Sequence, residues 1–349
     1  MTYSIREQEL RPSLAQVLTT HYGRPRHITN LKRERSIYGT SFLIEELTVS
    51  LDGGEELSLI FKDLSWRSLS EDARGKKHKF LYDPLREINV YRNILANRPL
   101  GQAICYGAGV DQDKDRYWLF LENVPGPELY QTGEFEKWQG VARWLAGFHA
   151  QFAPDPTRLL REAPLLRYNR PFYQRWLDRA LAFANDPGQG ASDETRRQLA
   201  WLADRYENVI AALEQLPQTF IHGEFYAANV LVEQLPAGLR VTPVDWEMAA
   251  VGPGILDLAA LTAGKWTEEQ KEALARAYYE GLPRGQQVYP SFAALLRALD
   301  YGHLYVSMLW LGWTAEIAPP AESGLNWLAE ALRLAEKLDL QPARSHNSR

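Results

Sequence analysis

Phe220-Ile-His-Gly-Glu-Phe-Tyr-Ala-Ala-Asn-Val-Leu-Val232, followed downstream by Val244-Asp-Trp-Glu247, is the stretch whose reading decides the fold. An apolar strand leads into His222-Gly223-Glu224. Five residues after that carboxylate comes an amide, Asn229, which opens a second apolar strand. Sixteen residues further on, at the end of a third short strand (Val241 to Val244), stands Asp245. Carboxylate, carboxamide and carboxylate, each at a strand end, form a set of hard oxygen ligands. Mg²⁺ keeps much of its water, so one carboxylate and one amide oxygen beside phosphate suffice as the protein's share. The other carboxylate is left to orient an attacking hydroxyl.

Working outward, the chain before this stretch alternates at the period of strands. Ile28–Arg35, Ser41–Leu51 and Glu56–Leu64 read as three strands, the last two joined by the tight-turn sequence Asp52-Gly53-Gly54. Pro84 opens a helix, Leu85–Ala96, at the first-turn position that tolerates proline. Two more strands follow, Ala103–Val110 and Tyr117–Glu122, before the composition break Val124-Pro125-Gly126-Pro127. A first helix with apolar residues at Leu10, Leu14, Val17 and Leu18 ends near Tyr22. Beyond the break the pattern is helical: Phe135–Phe152, two or more helices in Arg158–Leu216, Trp266–Tyr279 and Ser291–Leu340. The basic run Lys76–Lys79 reads as a solvated loop, and Arg344–Arg349 as a frayed polar end.

Composition narrows the classes. The formal charge of −5 argues against a nucleic-acid binder, which carries a basic face. That charge is uneven: the balance is +1 up to Pro125 and −6 from Gly126 onward, which tilts the second half toward a cationic or polar ligand. No apolar run approaches the roughly 20 residues that span a bilayer. The N-terminus lacks the basic-then-apolar pattern of a secretory signal, and the single cysteine, Cys105, forms no internal disulfide. A cytoplasmic protein that binds neither nucleic acid nor membrane is the expectation.

The loop His222-Gly223-Glu224 with Asn229, and Val244-Asp245-Trp246-Glu247 behind it, resembles the catalytic loop of the aminoglycoside phosphotransferase and choline kinase family. These are small-molecule kinases with a protein-kinase-like fold. Five elements match in order and spacing, and the architecture fits from about Ile28 to Leu340. One position departs: the family's loop carries Asp where this chain has Glu224. The resemblance implies an α+β, bilobal fold, with a small N-lobe (1–124) of five antiparallel strands plus a helix. The larger, mainly helical C-lobe (125–349) would carry the catalytic loop, metal site and acceptor-binding helices.

It also implies roles. Lys62, near the end of the third strand, would hold ATP phosphates, with Glu87 in the following helix as its partner. Arg86, next to Glu87, is turned roughly 100° away by helical geometry. Asn229 and Asp245 would hold Mg²⁺, and Glu224 would orient the acceptor hydroxyl. The turn Ser36-Ile-Tyr-Gly-Thr-Ser41 occupies the phosphate-covering position, where Thr40 and Ser41 could add hydroxyls; a plain hairpin turn would look the same. The backbone of Glu122 to Val124 would bond the adenine edge, its side chains mattering little. His222 reads as structural, and Asp257 as steadying the catalytic loop or capping a helix. Glu247 would approach a second metal or a substrate amine. The aromatic stripe of Tyr305, Trp310 and Trp313 reads first as core packing; with Glu316 these residues are also candidates for the acceptor wall, where aromatic faces beside a carboxylate suit an amine or a sugar ring.

The implied activity is transfer of the γ-phosphoryl group of ATP to a hydroxyl of a small molecule, amine-bearing like an aminoglycoside, choline or an amino sugar. The alternative is an ATP-binding pseudokinase with a regulatory or scaffold role. Glutamate moves the charge roughly 1.5 Å relative to aspartate, and positioning is sensitive at that scale.

Overall fold

The computed structural model describes residues 4–37, 41–96, 98, 100–186, 191–313 and 326–342. Thr40, Glu316 and the end 344–349, each assigned above, lie outside the described residues.

Helix α1 (Glu7–Tyr22) buries Leu10, Leu14, Val17 and Leu18, as its spacing predicts. Strands β1 (Ile28–Arg35), β2 (Leu43–Leu51), β3 (Glu56–Asp63), β4 (Cys105–Asp111) and β5 (Arg116–Glu122) form one antiparallel sheet in the order β1-β2-β3-β5-β4. Alternation divides the sheet into two faces. Phe61, Trp118 and Phe120 join Leu47 and the apolar stripe of α1 in one cluster. Leu119 and Leu121 face the other way and join Ile88 and Tyr91 in the larger core. Lys62, one residue after Phe61, therefore shares the second face.

Helix α2 (Glu71–Lys76) occupies part of the polar segment read as a loop, capped by Ser70, whose side chain accepts from Ala73 N–H. Helix α3 (Pro84–Asn89) starts where Pro84 predicts, with Asp83 accepting from Leu85 N–H, and continues as π-helical turns over Val90–Leu95. Cys105 is half-buried, and burial pushes its thiol up to about 11.

The rest is mainly helical: α4 (Phe135–Phe152), α5 (Arg170–Asn185), α6 (Asp193–Glu214), α7 (Ile255–Leu261), α8 (Glu268–Gly281), α9 (Phe292–Trp313) and α10 (Trp327–Lys337). Set among them are a small sheet of β6 (Leu166–Arg167), β10 (Ala250–Pro253) and β7 (Gln218–Ile221), and a hairpin of β8 (Val230–Leu235) and β9 (Gly238–Pro243). The two- and four-residue strands β6 and β10 were not foreseen; they are too short to show a period of two. Between the two parts, Gly126 (φ +119°) runs against the hairpin so closely that a Cβ would sit 2.4 Å from Val232 O. Val232 N–H donates to Pro127 O at 3.1 Å. Among the described residues no helix is long and apolar enough to cross a membrane.

Candidate active site

Lys62 is one of the points at which the sheet and the helical part meet. It is 5% exposed, and its Nζ donates to Glu87 Oε1 and Oε2 at 2.9 and 2.7 Å and to Asp245 Oδ1 at 2.8 Å. Glu87 is 2% exposed. Strand alternation aims the lysine at α3, and the first turn of α3 aims the glutamate back. Burial disfavours the ammonium, yet two carboxylates outweigh it and hold Lys62 above its ordinary value. Burial pushes Glu87 upward against that lysine. Asp245, 39% exposed at its side chain, is raised by burial but more strongly lowered by Lys62, and ends below the ordinary carboxylate range.

The loop from β7 into β8 is held chiefly through its backbone. Asp257 Oδ2 accepts from His222 N–H at 2.7 Å and Oδ1 from Gly223 N–H at 2.9 Å. The N-cap of α7 is Gly254, so Asp257 steadies the loop and is no cap. His222 is fully buried; its Nε2 lies 2.9 Å from Val244 O, and its Nδ1 accepts from Glu224 N–H at 3.3 Å. Gly223 (φ +87°) crosses so near the chain that a Cβ would lie 2.3 Å from Met248 O. Asn229 Nδ2 donates to Glu224 O at 3.0 Å, which fixes the amide's orientation and leaves its oxygen as the group for a cation. The Glu224 carboxyl is pushed up to about 8 by burial and by the charges of Glu247 and Asp245, with Lys77 opposing them.

Asn229 and Asp245 fit Mg²⁺ by chemistry: one neutral and one anionic hard oxygen, with Asp245 kept ionised by Lys62. Among the described residues no group of three or more His, Cys, Asp or Glu side chains converges as a metal site. The fit is thus to an ion that takes the rest of its shell from phosphate and water.

At the far end of β5 the side chain of Glu122 turns out to matter. Its carboxylate accepts from Arg240 Nη2 and Nη1 at 2.7 and 2.9 Å and from Ile104 N–H at 2.9 Å. Val124 is buried beside it. Ser41 O accepts from Ser70 N–H at 3.0 Å, tying the chain just before β2 to the N-cap of α2.

The acceptor candidates split. Tyr305 lies 5.8 Å from the Tyr168 ring, whose hydroxyl reaches Gly223 O at 3.5 Å; Trp310 lies 5.7 Å from Tyr226 and 5.9 Å from Trp327. Both thus approach the catalytic loop through a tyrosine. Trp313 instead packs on Trp176 and His78, at 5.2 and 5.0 Å.

Several residues escaped the sequence. Lys77, read as part of a solvated run, has a side chain 12% exposed and pairs with the Glu247 carboxylate; so Glu247, read as free for a metal or an amine, is engaged by it. Arg86, set aside as turned from Lys62, is turned into the helical part instead. His149 bonds Tyr278 Oη at 2.9 Å through Nδ1 and approaches Asp257 Oδ2 at 3.2 Å through Nε2. It could have been found: Leu145 and Phe152, four before and three after, put it on the buried stripe of α4. Lys77 and Arg86 had no such sign.

A family model described as phosphotransferase enzyme family matches residues 80–295. No curated protein matches the chain by sequence. Among solved structures, a microcompartment-associated aminopropanol kinase aligns at TM-score 0.59 and 18% identity, over 93% of this chain and 97% of its own. A GDP complex of an aminoglycoside 2′-phosphotransferase aligns at TM-score 0.55 and 15% identity, over 95% and 97%. The ethanolamine kinase of Plasmodium vivax aligns at TM-score 0.55 and 12% identity, over 96% and 89%. At these identities the likeness is one of fold.

Proposed function

The chain belongs to the phosphotransferase enzyme family, and from that premise we propose an ATP- and Mg²⁺-dependent kinase acting on a hydroxyl of a small, amine-bearing molecule. The observation that carries this reading is the Lys62 ammonium, bonded at once to Glu87 from α3 and to Asp245 from beyond β9. A buried lysine between two carboxylates of distant segments is an arrangement for phosphate. Residues 1–124 and 125–349 are taken as its two lobes, with the nucleotide between them.

In this mechanism Lys62 binds the phosphates and Glu87 orients it. The backbone of Glu122 to Val124 takes the adenine edge, and the Ser36–Ser41 turn, with Thr40 and Ser41, covers the phosphates. Asn229 and Asp245 hold Mg²⁺, which when bound neutralises charge on the phosphate oxygens. Glu224 orients the acceptor hydroxyl. The acceptor oxygen forms a bond to the γ-phosphorus as the bond from that phosphorus to the β,γ-bridging oxygen breaks. The hydroxyl proton passes to the Glu224 carboxylate, and ADP leaves. His222 and Asp257 keep the loop in register. Tyr305 and Trp310 stand behind Tyr168 and Tyr226 at the acceptor end, with Glu316 further along in sequence, while Trp313 packs away from it on Trp176 and His78. The rings of Tyr168 and Tyr226 near the Glu224 carboxyl favour an amine; aminopropanol, aminoglycoside and ethanolamine in the names of the structural neighbours point the same way.

The test is Mg²⁺-dependent ATP consumption by the purified protein against pooled amino alcohols, amino sugars and aminoglycosides. Turnover with one pool, abolished in Asp245→Ala and strongly reduced in Glu224→Gln, is the expected result. ATP binding without turnover across the panel, with activity gained in Glu224→Asp, would establish the pseudokinase instead.

A further inference from the structure

Three cations from the N-terminal part reach the segment Asp245–Glu247, and only one of them belongs to the phosphate-binding arrangement just described. Lys62 bonds the Asp245 side chain. Arg86 is 4% exposed and donates to three carbonyls: Nη1 to Glu247 O and to Leu81 O, both at 2.6 Å, and Nε to Pro164 O at 2.8 Å. The ammonium of Lys77 pairs with the Glu247 carboxylate and lies 4.6 Å over the Phe42 ring, just before β2. Glu247 is therefore gripped at both ends, main chain by Arg86 and side chain by Lys77.

The segment needs holding. Asp245 has φ +67° and ψ +64°, left-handed backbone that any residue with a Cβ adopts at a cost, a smaller one for Asp than for most. Such strain persists where the surroundings over-determine it. Trp246 supplies one support, stacking on Phe220 at 5.5 Å and meeting His222 at 4.5 Å. Glu247 supplies the next. Arg86 and Glu87 are consecutive in α3, so one turn of helix grips this segment with one side chain and orients Lys62 with the other.

We propose that Lys77 and Arg86 are positioning residues that clamp Glu247 and thereby hold Asp245 in its working conformation, with Glu247 acting as the handle. This rests on the proposed function for its catalytic meaning, but the clamp itself can be tested in the ligand-free protein.

The experiment compares wild type with Lys77→Met, Glu247→Gln, the double variant and Arg86→Lys. The first readout is hydrogen exchange without ligand at the amides of Val244 and Ala249, which donate to Asn229 O and Trp246 O. Exchange there should rise in both single variants, and the double variant should be no faster than either, because both remove the same contact. Arg86→Lys keeps the charge but loses the planar fork, and should also speed exchange. The second readout is Mg²⁺-dependent ADP binding by calorimetry. Half-saturating Mg²⁺ should rise about tenfold in Lys77→Met and in Glu247→Gln, with the KM for the acceptor unchanged.

If Lys77→Met leaves exchange at wild-type rates, the clamp is wrong. If Glu247→Gln weakens Mg²⁺ binding while Lys77→Met does not, Glu247 is a metal ligand and the clamp is again wrong. If all variants lower the unfolding temperature but keep wild-type Mg²⁺ dependence and exchange, the two cations only pack. Wild type that binds no Mg²⁺–ADP would overturn the proposed function, while the exchange data would still decide the clamp.

Discussion

The phosphate end and the acceptor end of the proposed site are built by different means. At the phosphate end every group stands on a regular element or a loop pinned by backbone bonds: Lys62 on β3, Glu87 on α3, Asn229 entering β8 and Asp245 just past β9. Charges meet there at 2.7 to 2.9 Å. At the proposed acceptor end, buried aromatic rings of α9 meet the segment His222–Asn229 through Tyr168 and Tyr226, at ring separations near 6 Å. Point charges at fixed distances suit a phosphate chain that is the same in every turnover. Ring faces suit an acceptor whose shape differs from one family member to the next.

The largest effect expected from breaking this contrast is at Lys62. Lys62→Met removes the one cation shared by Glu87 and Asp245, and kcat/KM for ATP should fall on the order of 10³-fold. It should also lower stability by about 3 kcal/mol, because two carboxylates lose a buried partner; denaturant unfolding checks the second figure. Glu224 comes next. Its carboxyl is pushed up to about 8 and must be ionised to accept a proton, so kcat/KM for the acceptor should rise with pH and level off only above about 8. Glu224→Gln should lose about 10²-fold or more and flatten the profile. A profile that stays steep in Glu224→Gln would assign the titration to another group.

At the acceptor end the effect should be smaller and of another kind. Trp310→Leu should raise the acceptor KM about tenfold, the worth of one cation–π contact, and leave the KM for ATP unchanged. The effect that is smallest at neutral pH, and grows only in acid, concerns α9 itself. His303 bonds Thr262 Oγ1 at 2.8 Å, and burial lowers it to about 3. A histidine with a depressed folded value contributes stability that is present above its unfolded value of about 6.5 and lost as pH falls toward 3. His303→Asn should remove about one proton from that acid slope, measured by denaturant unfolding between pH 7 and 4.

The same contrast governs what the sequence disclosed. His222, Glu224, Asn229 and Asp245 were legible because each flanks a strand within one short stretch, and Lys62 and Glu87 because alternation and a proline-started helix aim them. Lys77 and Arg86 were not. Their partner Glu247 lies 170 and 161 residues away, and the segment from Ser65 to Phe80 has no period to show that part of it is helix and part faces the cleft. The Glu122–Arg240 pair is of the same kind, joining residues 118 apart. Contacts between distant segments leave no trace in local pattern.

That last pair bears on how the molecule comes apart. The boundary proposed at 124/125 falls where Glu122 is forked by Arg240 and where the chain past Gly126 is sewn to β8. Severing the chain there would strand a guanidinium and a carboxylate that are both mostly shielded from water, besides uncovering Lys62 and Glu87. The two halves should therefore behave as partners in one cooperative unit: the proposed boundary is a seam in folding, and heat should melt both sides of it in a single transition.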